Sequence, residues 1–214
     1  MSERRLLAVI GPNGSGKSSM VTSSDIAKNY GENIINPDNY AKNVSDIEDI
    51  NERYLFAMSQ CELLRNNLLD NGVSFGFETV GSTQEKIDFL KKARSKGYLV
   101  EVLFITTESA ELCARRVGKR VEKGGHDVER SKIFSRYERT MCLLKDYIEV
   151  ANYASVYDNS GKVPVLVFTK SNGNMRIIEN PYDIPWVGKY IYTHYKNADR
   201  VLVLPSPNGK DITD

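Results

Sequence analysis

Leu6 to Ile10 is an unbroken apolar run that stops at Gly11, the pattern of a strand buried on both faces of a parallel sheet. Ser18 to Lys28 follows as a predicted first helix, and Asn33 to Asn36 as a short second strand stopped by Pro37. Tyr54, Leu55, Met58, Cys61, Leu64 and Leu68 then recur at helical spacing and predict a second helix over Ile50 to Leu69. Gly72 ends it, and Val73 to Phe77 reads as a third strand running into Glu78. Ser82 followed by Glu85 is a capping-box pattern that opens a helix through Ser95. After Gly97, Tyr98 to Ile105 gives another buried strand. A helix is expected over about Ala110 to Glu122, a break at Gly124-Gly125, and one long helix from near Arg130 to about Val150.

Beyond that point the alternation of strand and helix lapses. Val163 to Thr169 and Met175 to Glu179 flank Asn172-Gly173-Asn174, a turn signal that predicts a C-terminal hairpin. Pro181 and Pro185 bracket a loop before a helix-like stretch from Trp186 to Lys196, and Pro205, Pro207 and Gly209 mark a frayed end. These patterns predict an open α/β three-layer sandwich with a mostly parallel sheet, ligands gathering at the carboxyl ends of its strands. A single domain over residues 1–200 is expected, with a lid at about 110–140 and a tail over 201–214.

The composition agrees with this picture and narrows the partners. With 41% hydrophobic and 27% charged residues over 214 positions, the chain suits one well-buried globular domain. A net charge of +1 gives no basic excess for nucleic acid. No apolar run approaches the roughly 18 residues of a membrane span, and the early first strand leaves no room for a signal peptide, so a cytoplasmic location is expected. Cys61, Cys113 and Cys142 are widely spaced and read as reduced core thiols. His126 and His194 have no histidine or cysteine at metal-ligand spacing, which argues against zinc. Tyr190, Tyr192 and Tyr195 read as packing the last helix on the sheet, with base stacking the minority alternative.

The chemistry begins with Gly11, Pro12, Asn13, Gly14, Ser15, Gly16, Lys17 and Ser18, which fit G-x-x-x-x-G-K-[ST] directly after the first strand. The glycines let consecutive backbone N–H groups turn inward around phosphate oxygens, and the following helix adds its positive end. The loop and Ser19 are therefore the expected nucleotide site, with Lys17 reaching the β- and γ-phosphates of ATP or GTP. Ser18 supplies a hydroxyl to Mg2+, whose other ligands are water and nucleotide. Asp38, in I-I-N-P-D, lies where an acceptor would sit and reads either as a base for its hydroxyl or as a cap after Pro37. Glu78, ending the third strand, reads either as a ligand to Mg2+-bound water or acceptor, or as a cap of the following loop; Thr79 beside it is a weaker acceptor contact.

Arg115, Arg116, Arg120, Arg130, Arg136 and Arg139 surround Gly124-Gly125-His126 as helix, hinge and helix. That is the build of a kinase lid, in which arginine forks grip phosphate oxygens and closure excludes water. Two or three of the six are expected to act: Arg120 and Arg136 in catalysis, Arg116 on the acceptor.

The loop motif, I-N-P-D at 35–38, F-E-T at 77–79, R-V-G-K-R-V-E-K-G-G-H-D-V at 116–128, R-Y-E-R at 136–139 and V-Y-D-N-S at 156–160 together resemble the short zeta-toxin-like P-loop kinases over roughly residues 5–170. The resemblance implies a P-loop kinase-like fold with a helical lid and an ATP- or GTP-dependent phosphotransferase. Its better-known relatives phosphorylate a sugar hydroxyl of UDP-N-acetylglucosamine. It also implies Lys17 and Ser18 at the nucleotide, Asp38 as the acceptor-activating carboxylate, Glu78 near the acceptor, and an antitoxin protein as partner. The larger toxins carry Glu-Gly-Thr where this chain has Glu78-Thr79-Val80.

A GTPase switch is excluded by spacing: Asp158-Asn159-Ser160-Gly161 and Thr169-Lys170-Ser171-Asn172 lie too close together, and the acid that would read guanine is Asn172. An ABC-type motor lacks its L-S-G-G-Q-like signature. A non-catalytic nucleotide-binding module, or an ATPase acting through a protein partner, stays as the alternative to the kinase.

Overall fold

A computed structural model describes residues 3–23, 34–125, 127–178, 183–198 and 201–203. The chain runs β1 (Arg5–Ile10), α1 (Lys17–Ser23), β2 (Ile34–Ile35), α2 (Pro37–Lys42), α3 (Ile50–Asp70), β3 (Phe75–Thr79), α4 (Gln84–Ser95), β4 (Leu99–Thr106), α5 (Ala110–Val121), α6 (Arg130–Cys142), α7 (Leu144–Val150) and β5 (Tyr153–Asp158). It ends with β6 (Val165–Ser171), β7 (Asn174–Ile177), α8 (Pro185–Val187), a π-helical segment (Gly188–Tyr192), α9 (Thr193–Tyr195) and β8 (Val201–Val203).

The sheet order is β2-β3-β1-β4-β5-β6-β7-β8. All neighbours are parallel except β6, which runs antiparallel to both β5 and β7. The continuous apolar run of β1 has a structural cause: the strand pairs with β3 and β4 and is covered on both faces. Leu6, Ala8 and Ile10 enter the large core beneath α3 to α7, while Leu7 and Val9 pack with Val21 of α1, Leu103 and Ile105 in a smaller one. With Ile10 level with Thr79 and Phe104, the loop after β1 opens between the ends of β3 and β4. The mostly parallel three-layer α/β sandwich and the hairpin β6–β7 are thus as expected.

Several boundaries differ. The expected long helix is two, α6 and α7, divided at Leu143. Tyr137, Met141, Leu144, Tyr147 and Ile148 stay buried across the division, so the apolar period carries no trace of it. The Ser82–Glu85 capping box does not form: Thr83 is the cap residue, with no side-chain cap bond, and Glu85 instead receives a 2.8 Å bond from Lys86. Strand β5 was not expected; small and polar residues alternate along it, but Ala154, Val156 and Asp158 are buried between β4 and β6. Strand β8 lies inside the expected tail, paired in parallel with β7. Cys61 and Cys113 are buried free thiols, whereas Cys142 is exposed and so is not a core residue. Tyr195 packs 5.6 Å from the ring of Phe168, in keeping with a packing role. Residues 24–28 of the expected first helix, His126 and the end over 204–214 lie outside the described residues.

Candidate active site

The Gly11–Ser18 loop owes its shape to close approaches on three sides. A Cβ at Gly14 would stand 2.4 Å from the Cys113 carbonyl of α5, and one at Gly16 would stand 2.3 Å from the Asn159 side-chain nitrogen. Both glycines have positive φ, 81° and 94°, where L side chains are strained. A Cβ at Gly11 would stand 1.9 Å from the Ile105 carbonyl. Within this loop Lys17 Nζ donates to the carbonyls of Gly11 (2.7 Å) and Pro12 (2.9 Å). Desolvation lowers the pKa of its ammonium, partly opposed by the nearby Glu78 carboxylate. The ammonium is thus held by two backbone carbonyls of the loop itself.

Ser18, at the start of α1, donates its hydroxyl to Glu78 Oε2 at 2.8 Å. Glu78 is buried at the end of β3, and this contact, not a helix end, is what it serves. The two residues expected at Mg2+ therefore stand together, offering oxygens of the kind that ion takes alongside phosphate and water.

Asp38 lies in the first turn of α2. The cap of that helix is Asn36, whose side chain accepts from the backbone N–H of Asp38 (2.8 Å) and Asn39 (3.4 Å). The Asp38 carboxylate is thus not the cap of this helix. It faces Arg120 of α5 at 3.8 Å, both side chains about two-fifths exposed (39% and 41%). Tyr54 of α3 belongs to the same group: burial raises its phenol pKa first, then the charge of Asp38, with Arg136 and Arg120 opposing. Sequence placed Tyr54 only on the apolar stripe of its helix.

The arginines separate cleanly. Arg136 Nη1 reaches Asn13 Oδ1 of the loop at 3.5 Å, and Arg120 faces Asp38. Arg116 departs from its expected acceptor contact: Nη1 donates to the Asn159 carbonyl (2.7 Å) and Nη2 to that of Ser160 (3.2 Å), because α5 crosses the turn after β5. Arg130 stacks over Phe134 of its own helix at 5.1 Å, and Arg115 and Arg139 are exposed. Lys42, Arg116, Lys119, Arg120, Lys123, Gly124 and Gly125 line a cavity of about 460 Å³ at the break between α5 and α6.

Thr79 follows Glu78 at the end of β3. Its hydroxyl accepts from the Gly81 N–H (3.2 Å) and its carbonyl from the Gly11 N–H (3.3 Å), so it shapes two loops while its own O–H stays available as a donor. Ser19 is exposed on α1. Asp158 is buried, with Oδ1 receiving the Ser160 N–H and Oδ2 the Trp186 indole N–H, both at 2.6 Å. The sequence reading missed Asn159, whose Nδ2 donates to the Ser15 carbonyl at 2.7 Å. Only the V-Y-D-N-S motif pointed to it.

No known protein-family profile and no curated protein matches the chain. Solved structures do. A chain of the AvrRxo1-ORF1:-ORF2 complex with ATP is 16% identical over 82% of this chain and 60% of its own, with a TM-score of 0.67. The same complex with sulphate ions gives 16% identity, a TM-score of 0.68, and coverage of 99% and 66%. A chain from the PezAT chromosomal toxin-antitoxin system of Streptococcus pneumoniae gives 18% identity, a TM-score of 0.55, and coverage of 77% and 72%. This chain spans 60% to 66% of the length of the AvrRxo1 chains. Identity this low establishes shared architecture and no more: the chain has the P-loop kinase-like α/β fold that it shares with these AvrRxo1-ORF1:-ORF2 and PezAT chains.

Proposed function

We propose that this chain is a P-loop kinase that moves the γ-phosphate of ATP or GTP to a hydroxyl of a small acceptor. The observation that carries the reading is the convergence of two halves at the carboxyl ends of β1, β2 and β3. Lys17, Ser18 and Glu78 form one half, and Asp38 with Arg120 the other.

In this reading phosphate oxygens are held by backbone N–H groups of the loop other than those of Gly11 and Ser15, which already donate to the Thr79 and Pro12 carbonyls, and Lys17 leaves the Gly11 and Pro12 carbonyls to neutralise the β- and γ-phosphates. Ser18 and Glu78 would hold Mg2+, which would supply positive charge to offset that of the phosphates. Asp38 orients the acceptor hydroxyl and takes its proton as the new O–P bond forms. Arg120, released from Asp38, and Arg136, already at Asn13, steady charge on the transferring group as the lid closes about Gly124-Gly125.

A nucleotide sugar such as UDP-N-acetylglucosamine is the first acceptor to try, on the resemblance of the sequence motifs. The solved relatives from AvrRxo1-ORF1:-ORF2 and from PezAT, the latter a toxin-antitoxin system, support a protein antitoxin as partner. No helix among the described residues is long and apolar enough to cross a membrane, in keeping with a proposed cytoplasmic site of action. The test is incubation with ATP or GTP, Mg2+ and a panel of nucleotide sugars and nucleosides. The reading expects a product heavier by one phosphoryl group; nucleotide consumption that ignores every acceptor would favour an ATPase working through a protein partner.

A further inference from the structure

The Asp158-Asn159-Ser160-Gly161 motif fails as a GTPase signature and has no part in the phosphotransfer just described, yet it makes the most closely tied contact with the phosphate loop. Asn159 Nδ2 donates to the Ser15 carbonyl at 2.7 Å, on the side of the loop where Gly16 leaves no room for a Cβ. Peptide groups are planar, and no cis bond occurs among the described residues. In a trans peptide the C=O and the next N–H point in opposite directions. Drawing the Ser15 carbonyl toward Asn159 therefore turns the Gly16 N–H away from it, into the hollow of the loop.

The amide that does this is itself immobilised. The Asn159 N–H donates to the Thr106 carbonyl at 2.8 Å, and its carbonyl accepts from Arg116 at 2.7 Å. Ser160 is held by Asp158 Oδ1 on its N–H (2.6 Å) and receives the Glu108 N–H on its hydroxyl (2.7 Å). Trp186 closes the set on Asp158 Oδ2 at 2.6 Å. We propose that Asn159 is a positioning residue for the phosphate cradle, setting the direction of the Gly16 N–H through the Ser15 carbonyl. This rests on the proposed nucleotide role of the loop. It assigns to Asn159, and behind it Arg116, Asp158 and Trp186, the task of keeping the cradle open to an anion before one arrives.

The test uses the full chain with two substitutions. Asn159→Ala removes the donor; Asn159→Asp keeps the size and the backbone anchors but faces the Ser15 carbonyl with an acceptor. Binding of inorganic pyrophosphate and of ADP, each with Mg2+, is measured by calorimetry, thermal melting serves as a folding control, and KM for ATP is separated from kcat. Expected are a loss of pyrophosphate and ADP affinity of about five- to tenfold in Asn159→Ala, the scale of one well-placed hydrogen bond, and a larger loss in Asn159→Asp. KM for ATP should rise by a similar factor while kcat at saturation changes less. Unchanged pyrophosphate affinity in either folded variant, or a fall in kcat alone, overturns the assignment. If the wild-type chain binds neither probe, the nucleotide role itself fails and the assignment falls with it.

Discussion

On the β4 and β5 side of the phosphate loop, Asn159, Arg116, Asp158 and Trp186 interlock through bonds of 2.6–2.7 Å, whereas on the β2 and β3 side Asp38 and Arg120 face each other at 3.8 Å with about two-fifths of each side chain exposed. The first flank is hydrogen-bonded and partly buried, its guanidinium set on backbone carbonyls and its carboxylate on N–H donors, so each group removed leaves another unsatisfied at a cost of about 1–3 kcal/mol. The second is a solvated ion pair of about 0–1 kcal/mol, which an arriving ligand displaces cheaply. On the proposed function, the difference fits the two flanks to opposite duties. A donor cradle benefits from being fixed before binding, while an acceptor site under a hinged lid has to rearrange.

The largest effect expected on this comparison comes from the residue between the flanks. Lys17→Ala should lower turnover by about 10²–10³-fold while leaving the fold intact, measured as initial rates beside a denaturation curve. The sign of its pH dependence follows from burial, which lowers the Lys17 pKa from the ordinary lysine value of 10.5. Phosphate favours the ammonium form, so nucleotide affinity should weaken as pH rises through that lowered value, beginning below 10.5. A titration of affinity against pH checks this, and Lys17→Ala should lose the alkaline limb.

Trp186→Phe tests the fixed flank. It strips Asp158 Oδ2 of its indole donor, and denaturant unfolding should register a loss of about 1–3 kcal/mol. Arg120→Ala tests the loose flank and should change unfolding free energy by under about 1 kcal/mol, although the proposed role makes turnover fall. A large stability loss there, with none at Trp186, would reverse the comparison.

The same contrast explains what could be read from the sequence. The strands β1, β3 and β4, the glycine-shaped loop after β1 and the placement of Glu78 at a strand end were legible because each is fixed by local pattern: a buried run, a glycine spacing, a carboxylate at a strand end. The ring of contacts around Asn159 was not, since an asparagine in a turn has no period and its partner Ser15 is distant in the chain. Tyr54 falls on the apolar stripe of its helix, and only the fold puts its phenol within the field of the Asp38 charge. Arg116 was drawn toward the acceptor by proximity to the other lid arginines, although the crossing of α5 over the end of β5 commits it to two carbonyls. Strand β5 was passed over because alternation of Ala154 and Val156 with Ser155 and Tyr157 is a weak apolar signal.

The account stands or falls on Asp38 acting on an acceptor. The most direct measurement compares wild type and Asp38→Ala for ADP affinity and for phosphoryl transfer to the acceptor identified from the panel. Affinity within about twofold, with transfer reduced by about 10²–10⁴-fold, is the predicted result. Equal transfer by the two proteins would contradict it.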